Sequence, residues 1–479
     1  MSFDTVIRGA HLADGSGNRL FKADVAITNG RISWISDNIS EPADHVVDAH
    51  GLVLAPGFID VHTHDDLNVV SSPGMLTKIS QGVTTVIVGN CGISASPVRL
   101  TSAPPDPLNL LGKQQDFTYP RFSDYARAVS TAKPSVNVAA LVGHTAIRNN
   151  HMKNLRRAAT EQELNAMRQD LCQALAEGAL GLSSGLAYSS AQCAPSEEVL
   201  ALVKEVGKAG GIYTTHLRTE FEAITEAMGE AFSTAKSGEV PLIISHLKCA
   251  GRGNWGRSSN ILSLLDTAAK TQQVACDCYP YAASSSTLDL AQVTDETDIF
   301  ITWSESHPEQ AGKLLKDIAS QWQLDLLEAA KLLQPAGAVY HCMSEDDVSA
   351  ILRHPLSMVG SDGLPNDPHP HPRLWGTFPR VLGHYCRDLK LFDLPAAIHK
   401  MTGLSAQQFR LEKRGLIREG YHADLTLFDF ATIKDTASYA DPQQAAQGIA
   451  GVWVNGVASY PHTSSAPGRA GQFLYRNKP

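Results

Sequence analysis

Eight short apolar runs, each followed by a stretch of helical texture, limit most strongly what this chain can fold into. They fall at 58–62, 84–88, 136–142, 180–184, 212–216, 242–246, 274–279 and 356–360. Near-continuous apolar strands suit a parallel sheet buried on both faces, because an antiparallel sheet wetted on one side would alternate apolar with polar. Regular alternation with helices predicts β/α units. The helix after the third run announces itself: Thr160-Glu161-Gln162-Glu163 has the form of a capping box, and Leu164, Met167, Leu171 and Leu175 follow at helical spacing. Eight such units predict a (β/α)8 TIM barrel, whose reactive groups gather where its strands end. The rhythm breaks once, between the seventh and eighth runs, where roughly residues 284–345 form an insertion. An insertion beside strand ends predicts a lid or pocket wall.

The two ends of the chain have a different texture. Thr5-Val6-Ile7-Arg8, Asp24-Val25-Ala26-Ile27 and Arg31-Ile32-Ser33-Trp34-Ile35 are β-rich, with turns at Gly15-Ser16-Gly17-Asn18 and Thr28-Asn29-Gly30. Ala423-Asp424-Leu425-Thr426-Leu427-Phe428-Asp429 and Gly451-Val452-Trp453-Val454-Asn455-Gly456 read the same way. The expected organisation is therefore α/β: a barrel over 56–412, with 1–55 and 413–479 building one small β-sandwich together. The formal net charge of -9 argues against nucleic acid as a partner. The chain has no run of 18 apolar residues and no leader-like start, so neither a membrane span nor export is expected. Eight scattered cysteines in 479 residues make no disulfide framework and suggest a reducing cytoplasm. Oligomeric state leaves no mark in the sequence.

The chemistry-bearing residues lie where the apolar runs stop. In Val61-His62-Thr63-His64-Asp65-Asp66 the two histidines are two apart on one strand and can face the same side. Neutral imidazole is a good zinc ligand, although a histidine at a strand end is often structural. Cys91, in Val88-Gly89-Asn90-Cys91-Gly92, ends the second run. An isolated cysteine usually packs as a small hydrophobe, but its thiolate also binds zinc strongly. His216 ends the fifth run and His246 the sixth. Cys91, His216 and His246 together would leave a fourth position open, as catalytic zinc requires. Asp362, in Ser361-Asp362-Gly363 after the eighth run, is by itself only a turn residue. Beside a metal it is a candidate general base that takes a proton from an attacking water and returns it to a leaving nitrogen.

Taken together these residues resemble the amidohydrolase superfamily and, more narrowly, the N-acyl-D-amino-acid deacylases (D-aminoacylases). The resemblance is carried by 55–66, 82–92, 139–144, 181–188, 215–220, 245–249, 254–257, 279–281, 360–365, 373–376 and 423–429. The cysteine at the second strand is its most specific element. Many amidohydrolases place a carboxylated lysine at the fourth strand, but Gly181-Leu182-Ser183-Ser184-Gly185 has none, which counts against a hydantoinase or dihydroorotase. The His-x-x-Glu of an adenosine-deaminase type is likewise missing around the sixth strand, over 244–248.

The resemblance implies a tight zinc at Cys91, His216 and His246, and a weaker or vacant second site near His62, His64 and Asp362. It implies that Lys248, Tyr279 and Arg373 hold the substrate α-carboxylate, a role that suits a guanidinium, an ammonium and a phenol. It implies that Tyr188 polarises the scissile carbonyl. The expected reaction is hydrolysis of an N-acyl-D-amino acid to a carboxylate and a free D-amino acid. The start of the insertion, 282–296, carries no Lys or Arg, which favours neutral or apolar substrate side chains. Two alternatives stand beside this: another amide or cyclic-amide hydrolase on the same scaffold, D-dipeptidase-like, and a non-catalytic assembly protein.

Overall fold

The computed structural model describes residues 2–461 and 468–476. Met1, 462–467 and 477–479, the last two inside the stretch expected to form the C-terminal β part, lie outside the described residues. The fold is α/β. The eight apolar runs become the strands Phe58–Asp60, Val83–Val88, Asn137–Ala140 continued by Val142–Gly143, Gly181–Gly185, Ile212–His216, Leu242–Ile244, Val274–Cys278 and Ser357–Val359. Each lies parallel to the next in sequence order. The third strand changes neighbours at Leu141: Asn137–Ala140 pairs with the second strand and Val142–Gly143 with the fourth. The eighth is tied back to the first, because Asp362 N–H donates to His62 O at 2.7 Å and His64 N–H to Gly363 O at 3.1 Å.

Strand side chains sort into two sets, as a period of two demands. Ile59, Val61, Ile87, Ala139, Leu141, Leu180, Ile212, Ile243, Ala275 and Met358 form one buried cluster, joined by Leu404, Ala406, Phe409 and Leu411. The other set, including Phe58, Val86, Val88, Leu182, Tyr213 and Leu242, packs in a second cluster with the helices. The helix Glu161–Ala176 has the expected reciprocal cap: Glu163 N–H donates to Thr160 Oγ1 (3.3 Å), and Thr160 N–H to Glu163 Oε2 (2.8 Å). Its Met167, Leu171 and Leu175 are buried, with Leu164 partly so.

The chain ends share one eight-stranded sheet. Its order runs Val457–Tyr460, Ile449–Val454, Leu425–Phe428, Val53–Pro56, Phe3–Leu12, Phe21–Thr28, Arg31–Ser36, with Ala43–Asp48 also paired to Phe3–Leu12. The tail then returns to the parallel sheet. Val138 N–H donates to Gln472 O (2.9 Å), Leu474 N–H donates to Val138 O (2.7 Å), and Phe473 packs on Phe122 and Tyr125. The segment between the seventh and eighth strands carries an antiparallel sheet of Ser284–Thr287, Ala336–Tyr340, Ile299–Ser304 and Lys313–Leu314, with helices Leu315–Trp322 and Leu326–Leu333. Among the described residues no helix is long and apolar enough to cross a membrane.

Candidate active site

The strand ends turn sharply, and the turns aim the polar side chains. Cys91 (φ 53°), His246 (φ 36°) and Asp362 (φ 50°) all hold the left-handed backbone conformation. That conformation costs a non-glycine residue about 1–2 kcal/mol, more readily tolerated by Asp and His than by Cys. Such strain concentrates at functional sites, where surrounding structure enforces it. For Cys91 the enforcement is visible. A Cβ on neighbouring Gly89 would lie 2.3 Å from Leu141 O, and one on Gly92 would lie 2.7 Å from Gly185 N. The cysteine is thus inserted where the third and fourth strands approach.

The structure brings His62, His64, Cys91, His216, His246 and Asp362 together. Potential ligand atoms of His62, His64, Cys91 and Asp362 lie within 4.8 Å of one another, as do those of Cys91, His216 and His246. The sulfur is common to both groups, a sharing that the sequence does not disclose. Cys91 Sγ is 3.2 Å from His62 Nε2 and 3.3 Å from His246 Nε2. Asp362 Oδ1 lies 3.1 Å from His64 Nε2 and 3.4 Å from His62 Nε2.

These donors suit a divalent cation. Soft sulfur with imidazoles, facing a carboxylate, is zinc chemistry. Burial would raise the Cys91 thiol, yet His62 and His246 hold it well below the usual thiol range, which favours the thiolate. Burial alone would lower His64 and His246, but their anionic neighbours push each up to about 9. A potential negative enough to keep those protons favours a metal ion in their place, and metal binding would release them. The Nδ1 atoms of His64 and His216 are buried without a hydrogen-bond partner.

A second layer, unread in the sequence, fixes the imidazoles. Glu220 Oε1 accepts from Lys248 Nζ (2.6 Å) and lies 2.8 Å from His246 Nδ1, which Lys248 Nζ also meets at 2.7 Å. These two groups fix the orientation of the His246 ring, whose Nε2 faces Cys91. Despite burial, Lys248 and the two histidines hold Glu220 well below the carboxylate range. Asp277 serves His62 in the same way: its Oδ1 is 3.3 Å from His62 Nδ1 and also accepts from His246 N–H at 2.9 Å. Beneath the site Lys78 is wholly buried, donating to Asp60 Oδ2 (2.8 Å) and Ser361 Oγ (2.8 Å), with Asp65 Oδ2 at 3.2 Å. A lone acid inside an apolar run, as in Cys276-Asp277-Cys278, is the one signal that could have flagged part of this layer.

Tyr188, Lys248, Tyr279 and Arg373 border the cluster. The Tyr188 ring packs 4.9 Å from His216, and its Oη is 3.5 Å from Ser286 Oγ in the insertion. Burial raises the Tyr188 and Tyr279 phenols well above their usual range, so both keep their protons. Arg373 Cζ lies 4.5 Å over the Tyr279 ring, with Lys248 Nζ at 5.7 Å from the same ring. Tyr279 Oη, Ser285 Oγ, Arg373 Nε and Arg373 Nη1 are buried and have no partner.

Comparison with known proteins matches this arrangement to a defined group. The model of the amidohydrolase family matches residues 45–460. The N-acyl-D-aspartate deacylase of Alcaligenes xylosoxydans xylosoxydans is 46% identical over 98% of this chain and 95% of that protein. The D-aminoacylase of the same organism is 45% identical over 99% of this chain and 98% of its own length. The crystal structure of the N-acyl-D-glutamate deacylase from Bordetella bronchiseptica, complexed with zinc and a phosphonate mimic of the tetrahedral intermediate, superposes with a TM-score of 0.96. It is 42% identical and covers 99% of this chain and 100% of that one. The chain belongs to the amidohydrolase family and, within it, to the N-acyl-D-amino-acid deacylases.

Proposed function

We propose that this chain is a zinc-dependent hydrolase that cleaves N-acyl-D-amino acids to a carboxylate and a free D-amino acid. The observation that carries this reading is the shared sulfur: Cys91 joins His216 and His246 on one side and His62, His64 and Asp362 on the other. The pattern fits one zinc held tightly by Cys91, His216 and His246, with a second, weaker position toward His62, His64 and Asp362. When bound, zinc supplies Lewis acidity to the scissile carbonyl and to the attacking water.

The remaining work belongs to the chain. Asp362 takes a proton from the water that adds to the carbonyl carbon, then delivers it to the nitrogen as the C–N bond breaks. Tyr188, kept protonated by burial, donates to the oxygen on which negative charge develops. Arg373 and Tyr279 receive the α-carboxylate through the donors left without partners. Lys248, ion-paired with Glu220, adds its charge to that end of the pocket and steadies His246.

Charge balance supports a neutral substrate side chain. Lys248 is matched by Glu220 and Arg373 by Asp362, so the pocket's spare donors suit one carboxylate. A second carboxylate, from an acidic side chain, would meet no uncommitted cation among these residues. The substrate is a small molecule, and a reducing cytoplasm agrees with eight free cysteines.

For the architecture, the sequential parallel strands and the Asp362–His62 and His64–Gly363 bonds support a closed (β/α)8 barrel over 56–412. The insertion near 284–345 then forms one wall of the pocket, and the strands that the described parts of 1–55 and 413–479 share in one sheet support a β-sandwich built from both ends. A panel of N-acetyl-D-amino acids, their L-enantiomers and cyclic amides, run on enzyme of measured zinc content, tests the function. Preferred cleavage of L-substrates or cyclic amides, or full activity after complete chelation, would sink it.

A further inference from the structure

Arg373 already has work in the substrate-free protein. It opens the helix Arg373–Arg380 and is 1% exposed. Its Nη2 lies 2.9 Å from Asp362 Oδ2 and donates to Ser285 O at 3.1 Å. Its backbone N–H donates to His371 Nδ1 at 2.9 Å, and its plane rests on Tyr279. The two oxygens of Asp362 are therefore divided: Oδ1 faces His64 and His62, and Oδ2 is ion-paired with Arg373. Meanwhile Nε and Nη1 of the same guanidinium are buried and unpartnered.

We propose that Arg373 is a positioning residue for Asp362 as well as the anchor of the substrate carboxylate, so that one rigid guanidinium measures the distance from the substrate's charged end to the proton-transfer group. The inference rests on the hydrolase reading above. A guanidinium is planar and presents its donors in fixed directions. A carboxylate docked on Nη1 or Nε and an aspartate held on Nη2 therefore cannot move independently. An arginine serving only as a carboxylate clamp needs no bond to Asp362. An aspartate steered only by the metal side needs nothing on Oδ2. A lysine at this position can meet one partner as a point charge but cannot fix two at a set angle.

The test uses full-length, zinc-loaded wild type, Arg373→Lys and Arg373→Ala, each checked for fold by circular dichroism. Two substrates are compared: N-acetyl-D-methionine and the N-acetyl amide of the corresponding amine, which lacks the carboxylate. Misplacing a proton-transfer group by about 1 Å costs roughly a hundredfold in rate. Arg373→Lys is expected to keep KM for N-acetyl-D-methionine within about tenfold while kcat falls roughly a hundredfold. The variants are also expected to lose kcat on the carboxylate-free amide, although that substrate offers Arg373 nothing to bind. A crystal structure of zinc-loaded Arg373→Ala supplies a readout apart from turnover, with Asp362 Oδ1 expected to turn away from His64. Wild-type kcat on the carboxylate-free amide in both variants, or an unmoved Asp362, overturns the proposal. If wild type cleaves neither substrate, the hydrolase reading fails, and the Asp362 orientation alone then decides the positioning role.

Discussion

Replacing Lys78 with methionine gives a direct test of how the site is supported from below. Methionine keeps most of the aliphatic stem and removes only the ammonium. In the protein that ammonium is buried against Asp60, Asp65 and Ser361, at 2.8, 3.2 and 2.8 Å. Despite burial, Asp60 and Asp65 raise its pKa, so it is charged at every working pH. Removing one member of a buried ion pair costs about 3–5 kcal/mol, because the partner charge stays behind. Here two carboxylates stay behind. Each retains neutral donors, Ser361 N–H and Oγ on Asp60 and Thr63 Oγ1 and Asn68 Nδ2 on Asp65, which offset part of the loss. About 3–5 kcal/mol is therefore expected for Lys78→Met, measured by urea unfolding of the metal-loaded protein. The double variant Lys78→Met/Asp60→Asn is expected to regain part of that loss, since one stranded charge is gone. A Lys78→Met protein within about 0.5 kcal/mol of wild type would falsify the reasoning, because it would mean that water reaches this layer.

Three other outcomes follow from the geometry. Asp362→Asn is expected to lower kcat by about 10²–10⁴ while elemental analysis still finds the tightly held zinc, since Cys91, His216 and His246 are untouched. Cys91→Ala removes the atom common to both ligand groups, so zinc should be lost from both, and metal titration should find no site of wild-type affinity. Glu198 gives a pH signature: it is buried, yet His144 and Arg148 draw its pKa from 4.5 down to about 2. A depressed folded-state pKa means stability that is present above pH 4.5 and drains away as pH falls toward 2. Glu198→Gln should cost roughly 3 kcal/mol at pH 7 and make the acid limb of the stability profile shallower in that window; an unchanged limb would remove Glu198 from the account.

The strand ladder was legible because burial on both faces leaves uninterrupted apolar runs, and all eight became strands within a residue or two of their expected limits. The ligand candidates were legible for a related reason: His216, His246 and Asp362 are polar groups placed where an apolar run stops. The supporting layer was not. Glu220, Asp277 and Lys78 are single charged residues whose partners fall at no regular spacing: Asp60 is 18 positions from Lys78, Lys248 is 28 from Glu220 and His62 is 215 from Asp277. No periodicity encodes such a pairing. The double use of Cys91 was hidden for the same reason, since it depends on how the first, second and sixth strand ends converge. The insertion could be located by its break in rhythm, but its antiparallel sheet could not, because Ser284–Thr287 carries a row of small polar residues instead of an apolar signature.

The return of Gln472 and Leu474 to Val138 bears on how the fold is closed. Strand three comes early in the sequence, yet Gln472 and Leu474, which bond to its edge, lie far downstream of it. The sheet shared by the chain ends likewise waits for Leu425–Phe428 before Val53–Pro56 has its antiparallel neighbour. All six candidate metal ligands lie before Leu425. The frame of the metal cluster is therefore closed by later stretches that carry no ligand themselves.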